Sequence, residues 1–117
     1  MIAGPAFAHA QLLVANNKVG VTLYSLPATV QLTFDDNLIV LGEAANQIQV
    51  TDPKGKHLEV GPSSVNAATL SVRLKTGALV GKYEVTYRVI SADGHPVSSS
   101  YPFYLAKKPV KKPVKKK

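Results

Sequence analysis

Asp93 and His95, two positions apart in the segment Ser-Ala-Asp-Gly-His-Pro (91–96), are the residues of this sequence best suited to chemistry. In an extended segment, residues at i and i+2 project to the same side, so a carboxylate and an imidazole can converge on one ion. Gly94 between them adds no side chain and permits backbone conformations that other residues avoid. The same pattern also fits an ordinary turn that carries a solvent-exposed histidine, because Asp-Gly is a general turn signal.

A histidine near the start of the chain, His9, favours the metal hypothesis. It follows Ala-Phe-Ala, the small-residue pattern after which signal peptidase cleaves, so residues 1–8 are interpreted as the remnant of an export signal. Cleavage after Ala8 would leave His9 with a free α-amine, and this amine and the imidazole can chelate one metal ion. Together with Asp93 and His95 they would form a set of nitrogen and oxygen donors that suits Cu(II). Without cleavage the amine is an amide, and binding should be weaker.

The composition excludes several other kinds of site. The chain has no cysteine, which rules out disulfides, thiolate catalysis, iron–sulfur clusters and cysteine-based zinc sites. The only methionine is Met1, so a sulfur-based Cu(I) site is not expected. The third histidine, His57, follows a turn without soft neighbours and is predicted to be a solvated surface residue. No phosphate-binding loop, nucleophile elbow or zinc-protease motif is found, and the chain is predicted not to be an enzyme.

The elements that must position these residues are predicted to be β-strands, because apolar residues recur with period two. Regular alternation covers the runs 30–34, 70–74, 83–89 and 101–105, with shorter examples at 48–50 and 12–14. Turn signals stand at 52–56 and 93–94, and further breaks at Pro27, Gly61-Pro62 and Gly77. About seven short strands spaced in this way predict an all-β sandwich of roughly 100 residues. The domain is expected to span residues 9–106.

The basic charge is confined to the end of the sequence. The formal net charge is +7, but the segment 107–117 contains seven lysines, and the rest of the chain has equal numbers of basic and acidic residues. This argues against a nucleic-acid-binding face. The segment 107–117 is predicted to be a disordered Lys/Pro-rich tail, which could attract an anionic membrane or wall polymer or simply solubilise or link the domain. No apolar run approaches the roughly 20 residues that a membrane helix needs.

Taken in order and spacing, five segments make the sequence resemble the CopC family of periplasmic copper-binding proteins. They are His9 after Ala-Phe-Ala, PATVQLTF (27–34), IQVTDPKGK (48–56), GKYEVTYRV (81–89) and, most specific, SADGHPV (91–97).

The resemblance implies a Greek-key β-sandwich or barrel related to cupredoxins and immunoglobulin-like domains. It also implies one Cu(II) site formed by His9, Asp93 and His95. The stretch 41–60 lacks the methionines of the Cu(I)-binding relatives, so no Cu(I) site is carried over. A monomer in the periplasm or at the cell surface is expected, which sequesters copper or delivers it to a membrane copper transporter of the CopD type.

Two alternatives remain at this point. An amino-terminal histidine chelate with a second histidine also resembles the histidine brace of copper-dependent polysaccharide oxygenases, but the eight aromatic residues lie mostly in core-facing strands and leave little for a substrate surface. A structural or adhesion module is the other, since sandwich domains often have this role. It predicts no specific metal uptake.

Overall fold

The computed structural model describes residues 11–16, 18–40, 45–77 and 79–107. The predicted export-signal remnant at 1–8, the proposed ligand His9 and nearly all of the predicted tail lie outside the described residues.

Eight β-strands form the regular structure of the described chain. They are β1 (Leu12–Ala15), β2 (Thr22–Leu23), β3 (Thr29–Phe34), β4 (Gln47–Thr51), β5 (Glu59–Asn66), β6 (Thr69–Leu74), β7 (Gly81–Ile90) and β8 (Pro96–Leu105). The strongest period-two runs of the sequence became β3, β6, β7 and β8. No helix occurs among these residues, and hence none that could cross a bilayer.

The strands pair into two four-stranded sheets, in the orders β1-β3-β6-β5 and β2-β8-β7-β4. Neighbours are antiparallel except β2 and β8, which are parallel. The predicted all-β sandwich is therefore confirmed, as two separate sheets rather than a closed barrel and with eight strands rather than about seven. β4 is an edge strand, and two of its N–H groups donate to side chains of β5 rather than to the backbone of a neighbouring strand. Ile48 N–H donates to Ser63 Oγ (2.9 Å), and Val50 N–H donates to Glu59 Oε1 (2.9 Å).

One predicted break was wrong. Gly61 and Pro62 lie inside β5, not between strands. The pairing of β5 with β6 shifts register between Val60 and Ser64, so this pair sits at an irregularity. Because β5 is the edge strand of its sheet, a proline without an N–H donor is tolerated there.

The core lies between the two sheets, where the alternating residues of β3, β6, β7 and β8 meet. Phe34 of β3 contacts Tyr87 of β7 edge-on, with ring centroids 5.4 Å apart, and this joins the two sheets. Within one sheet, Tyr83 and Phe103 stack at 5.1 Å. Burial of these large side chains is the main source of stability in a chain without cysteines.

The β7–β8 hairpin defines the long axis of the sandwich. Gly81 pairs with Leu105 at one end and Ile90 with Pro96 at the other. Ten residues of antiparallel strand, at about 3.4 Å each, separate these ends by roughly 30 Å. We call the end with residues 91–95 the turn end, and the end where β8 stops the tail end.

Candidate metal centre

The segment between β7 and β8 forms a tight turn, as the sequence predicted. Ser91 N–H donates to the carbonyl of His95 (2.9 Å), and Gly94 N–H donates to the carbonyl of Ser91 (2.8 Å). Gly94 has φ +89°, in the left-handed region that residues other than glycine rarely adopt. The glycine thus lets the chain reverse between the two candidate ligands.

Asp93 and His95 converge across this glycine. His95 Nδ1 lies 3.0 Å from Asp93 Oδ2, and His95 N–H donates to Asp93 Oδ1 at 3.2 Å. The side chain of His95 is 65% exposed and that of Asp93 is 24% exposed. Both groups are accessible from solvent, so a hydrated ion can reach them without any movement of the core.

Ser91 holds the carboxylate of Asp93 in place. This serine is fully buried, and its hydroxyl donates a hydrogen bond to Asp93 Oδ1 while lying 3.0 Å from the carbonyl of His95. The hydrogen bond from Ser91, followed by those from His95, holds the pKa of Asp93 well below its usual range. Asp93 is therefore ionised, and available as an oxygen donor, throughout the mildly acidic range.

Asn46 anchors the strand that leads into the turn. Its buried side chain accepts a hydrogen bond from Ile90 N–H (2.8 Å) and donates one to the carbonyl of Ile39 (2.9 Å). Ile39 N–H in turn donates to the carbonyl of Ile90 (3.0 Å). Neither Asn46 nor the role of Ser91 was found from the sequence, because each depends on burial against a distant segment.

The described chain begins at the turn end. Gln11 and Asp35 are joined by two hydrogen bonds. The N–H of Gln11 donates to Oδ1 of Asp35 (2.9 Å), and the N–H of Asp35 donates to the carbonyl of Gln11 (2.9 Å). Asp35 follows Phe34, whose ring contacts β7 three residues before Ile90. His9, two residues before Gln11, lies outside the described residues. Within them, no three His, Asp or Glu side chains are grouped so that they could hold a metal ion.

His57 lies away from this turn. It bridges to Thr51, which pairs with Glu84 near the start of β7, so it belongs to the tail half of the sandwich. Its side chain is exposed, as predicted, and its Nδ1 lies 3.0 Å from Glu59 Oε2. This contact with Glu59 was not predicted from the sequence.

Comparison with known proteins decides the family. A family model described as "CopC domain" matches residues 12–106. The chain belongs to the CopC family.

Two relatives of this CopC-family chain are named "Copper resistance protein C". The one from Xanthomonas campestris pv. juglandis is 31% identical over 106 residues, covering 84% of the chain and 80% of the relative. The one from Pseudomonas syringae pv. tomato is 26% identical, covering 88% and 85%. "Copper transport protein CutJ" of Bacillus subtilis is 29% identical over 87% of the chain, which spans only 19% of CutJ.

Solved structures agree with this fold. The crystal structure of CopC from Methylosinus trichosporium OB3b superimposes with a TM-score of 0.72 at 26% identity, covering 85% of this chain and 95% of that one. PcoC of Escherichia coli, titled a methionine-rich copper resistance protein, superimposes with a TM-score of 0.64 at 20% identity, covering 85% and 100%. At 20% identity, the similarity to PcoC shows the fold alone.

Proposed function

We propose that this protein binds one Cu(II) ion through His9, Asp93 and His95, and sequesters or delivers copper outside the cytoplasm. The observation that carries the proposal is the 3.0 Å separation of His95 Nδ1 and Asp93 Oδ2. Two donors at right angles, each about 2.0–2.1 Å from a metal ion, lie about 2.9 Å apart. The pair is thus already spaced like neighbouring ligands of a tetragonal site.

We expect His9 to complete this set. Two residues of extended chain span at most about 7 Å, and Gln11 is fixed to Asp35 at the turn end. A free α-amine and imidazole at His9 would add nitrogen donors to the two groups of the turn. The proposed copper-binding domain accordingly comprises residues 9–106.

The donor chemistry favours the oxidised ion. Imidazole, amine and carboxylate suit Cu(II), whereas Cu(I) prefers thiolate and thioether ligands. The sequence has no cysteine and no methionine in the stretch 41–60. We therefore assign Cu(II) as the cargo and propose no Cu(I) site around His57.

The relatives support a copper-handling role. Their names describe copper resistance and copper transport, and the similarity covers most of the length of the two copper resistance proteins. We propose that the protein acts as a monomer in the periplasm or at the cell surface, and that a membrane copper transporter of the CopD type receives its copper. Binding rather than catalysis is proposed because Asp93 would fill a position that an oxygenase keeps open.

The proposal is tested by titrating Cu(II) into protein that begins at His9, and into the same protein with Ala8 retained. Because Ala8 converts the amine of His9 into an amide, we expect the second form to bind at least about tenfold more weakly. Equal affinities would remove the α-amine of His9 from the proposed donor set. Mass spectrometry of exported protein then shows which form the cell makes.

A further inference from the structure

The tail end of the sandwich carries an exposed apolar patch. Tyr24, Leu79 and Val80 are 52%, 39% and 50% exposed, and Tyr104 on the adjacent face of β8 is 38% exposed. Tyr24 and Val80 line one groove together with Lys107, the last described residue. Large apolar side chains gathered at one end of a domain commonly mark an interaction surface.

Basic side chains surround this patch. Lys82 pairs directly with Tyr104 across the strands, and Lys75 lines the neighbouring groove. Lys54 and Lys56 lie in the turn after β4, whose Pro53 packs against Gly81 at the same end. Acidic residues of the same half are Asp52, Glu59 and Glu84, and Glu59 is paired with His57.

The turn end has the opposite character. Asp35, Asp36 and Asp93 lie there, with Arg88 as the nearest described basic residue of β7. The charge of the described domain is thus distributed along its long axis, positive towards the tail end. The sequence continues this trend, because six more lysines follow Lys107.

We propose that the tail end docks on an anionic lipid bilayer. Lysines are attracted to anionic headgroups, and the tyrosine rings and aliphatic side chains enter the interfacial layer, where amphipathic tyrosine is favoured. Stable peripheral binding needs two such contributions, and this surface supplies both a basic cluster and an apolar patch. A soluble polyanion would use the lysines but gain nothing from Tyr24, Leu79 and Val80, so lipid is the partner that fits the whole surface.

Docking in this way sets the orientation of the copper site. The turn with Asp93 and His95 would stand about 30 Å from the membrane-facing end of β7. Copper could then exchange with solutes or with a partner protein while the domain stays attached to the membrane. Lipid binding and Cu(II) binding are therefore expected to be independent of each other.

The test uses the full chain and vesicles containing phosphatidylglycerol and phosphatidylcholine in about equal amounts, at about 0.1 M salt. We expect the protein to sediment with these vesicles and much less with phosphatidylcholine alone. The double variant Tyr24→Ser/Val80→Ser should lose about tenfold in affinity, and Lys82→Gln about fivefold. Cu(II) affinity should stay the same in all three proteins.

Matched controls are available on the same domain. Leu13 and Val14 on β1 are more exposed than the patch residues, and Arg88 is a basic residue of β7 away from the tail end. Leu13→Ser/Val14→Ser and Arg88→Gln should bind vesicles like the original chain. Equal losses in the control and patch variants would overturn the proposal. So would unchanged vesicle binding by Tyr24→Ser/Val80→Ser, which would point to binding of polyanions in general through the lysines.

Orientation can be measured directly, because the chain has no cysteine of its own. An environment-sensitive fluorophore attached at Val80→Cys should shift to the blue on anionic vesicles. The same label at Asn66→Cys, in the hairpin at the turn end, should not shift. A shift at Asn66→Cys alone would show that the opposite end faces the membrane.

Discussion

His95 and Asp93 face each other across Gly94, with Nδ1 of the imidazole 3.0 Å from Oδ2 of the carboxylate. In the structure this distance is that of a hydrogen bond, and it also matches the separation expected of neighbouring ligands in the proposed Cu(II) site. A metal ion bound through Nδ1 in the proposed site would take the place of the proton shared by this pair.

Removing either member of this pair should weaken Cu(II) binding. We expect His95→Ala and Asp93→Asn each to lower the affinity at least about tenfold, because each removes one donor from the set. Both side chains lie at the surface, so the fold should be retained. His57→Ala is the matched control and should leave the affinity unchanged. Isothermal titration with a competing chelator measures these values, and an effect of His57→Ala equal to that of His95→Ala would contradict the assigned site.

Ser91→Ala tests the role of the buried serine as a positioning residue. Loss of the hydrogen bond should raise the pKa of Asp93 towards its ordinary value and lower Cu(II) affinity about tenfold, as is typical for partners that orient a ligand. The titration of the Asp93 carboxyl, followed by NMR, separates this from a general structural effect. Ser99→Ala on the exposed face of β8 should change neither quantity. An unmoved Asp93 titration in Ser91→Ala would refute the role.

The lowered pKa of Asp93 also predicts how metal-free stability depends on acid. A carboxyl group whose pKa is lower in the folded state stabilises the protein above the unfolded value, near pH 4, and this contribution is lost as pH falls further. Denaturant unfolding between pH 6 and about pH 2 should therefore show a smaller decrease for Asp93→Asn than for the original chain. Parallel curves would contradict the prediction.

Gly94→Ala should damage both the turn and the site. A Cβ at this position meets no atom within 4 Å, but φ +89° is unfavourable for alanine and should cost about 1–2 kcal/mol. Gly55 offers a matched control, since it has φ +83° and equally open space in the turn after β4. Both variants should lose similar stability in denaturant titrations, but only Gly94→Ala should lose Cu(II) affinity. Equal affinities would show that the turn conformation does not matter for binding.

The buried hydroxyl of Tyr83 should make the folded protein less stable at alkaline pH. Its hydroxyl donates to the carbonyl of Leu79 (2.6 Å), and burial, with a smaller effect of the Asp52 charge, raises its pKa. A raised pKa in the folded state stabilises the protein fully below about pH 10, and this contribution is lost as pH rises through the folded value. Tyr83→Phe should cost about 1 kcal/mol at neutral pH and show a weaker alkaline decrease. The exposed Tyr104→Phe should do neither in denaturant titrations between neutral pH and pH 11.

Local periodicity was sufficient to predict most of the fold. The runs in β3, β6, β7 and β8 alternate cleanly because each strand has one face on the core and one in solvent. β2 has only two residues and cannot show a period, and β5 is an edge strand whose residues are largely exposed. Nothing in the sequence of these segments distinguishes them from loops. They become strands only by pairing with β8 and β6, respectively.

The candidate site divides in the same way. Asp93, Gly94 and His95 are adjacent in sequence, so their convergence could be predicted from strand geometry and from the conformational freedom of glycine. Asn46 accepts a hydrogen bond from Ile90, which is 44 residues away in sequence, and Ser91 orients Asp93 from a fully buried position. Both are properties of the packed sandwich rather than of any short segment.

Electron paramagnetic resonance of the Cu(II) complex tests the central claim most directly. Protein that begins at His9 is loaded with one equivalent of Cu(II), and the nitrogen couplings are compared with those of His95→Ala. We predict an axial Cu(II) spectrum in which His95→Ala loses the couplings of one imidazole, while His57→Ala gives the original spectrum. Identical spectra for the original chain and His95→Ala would contradict a copper site at the β7–β8 turn.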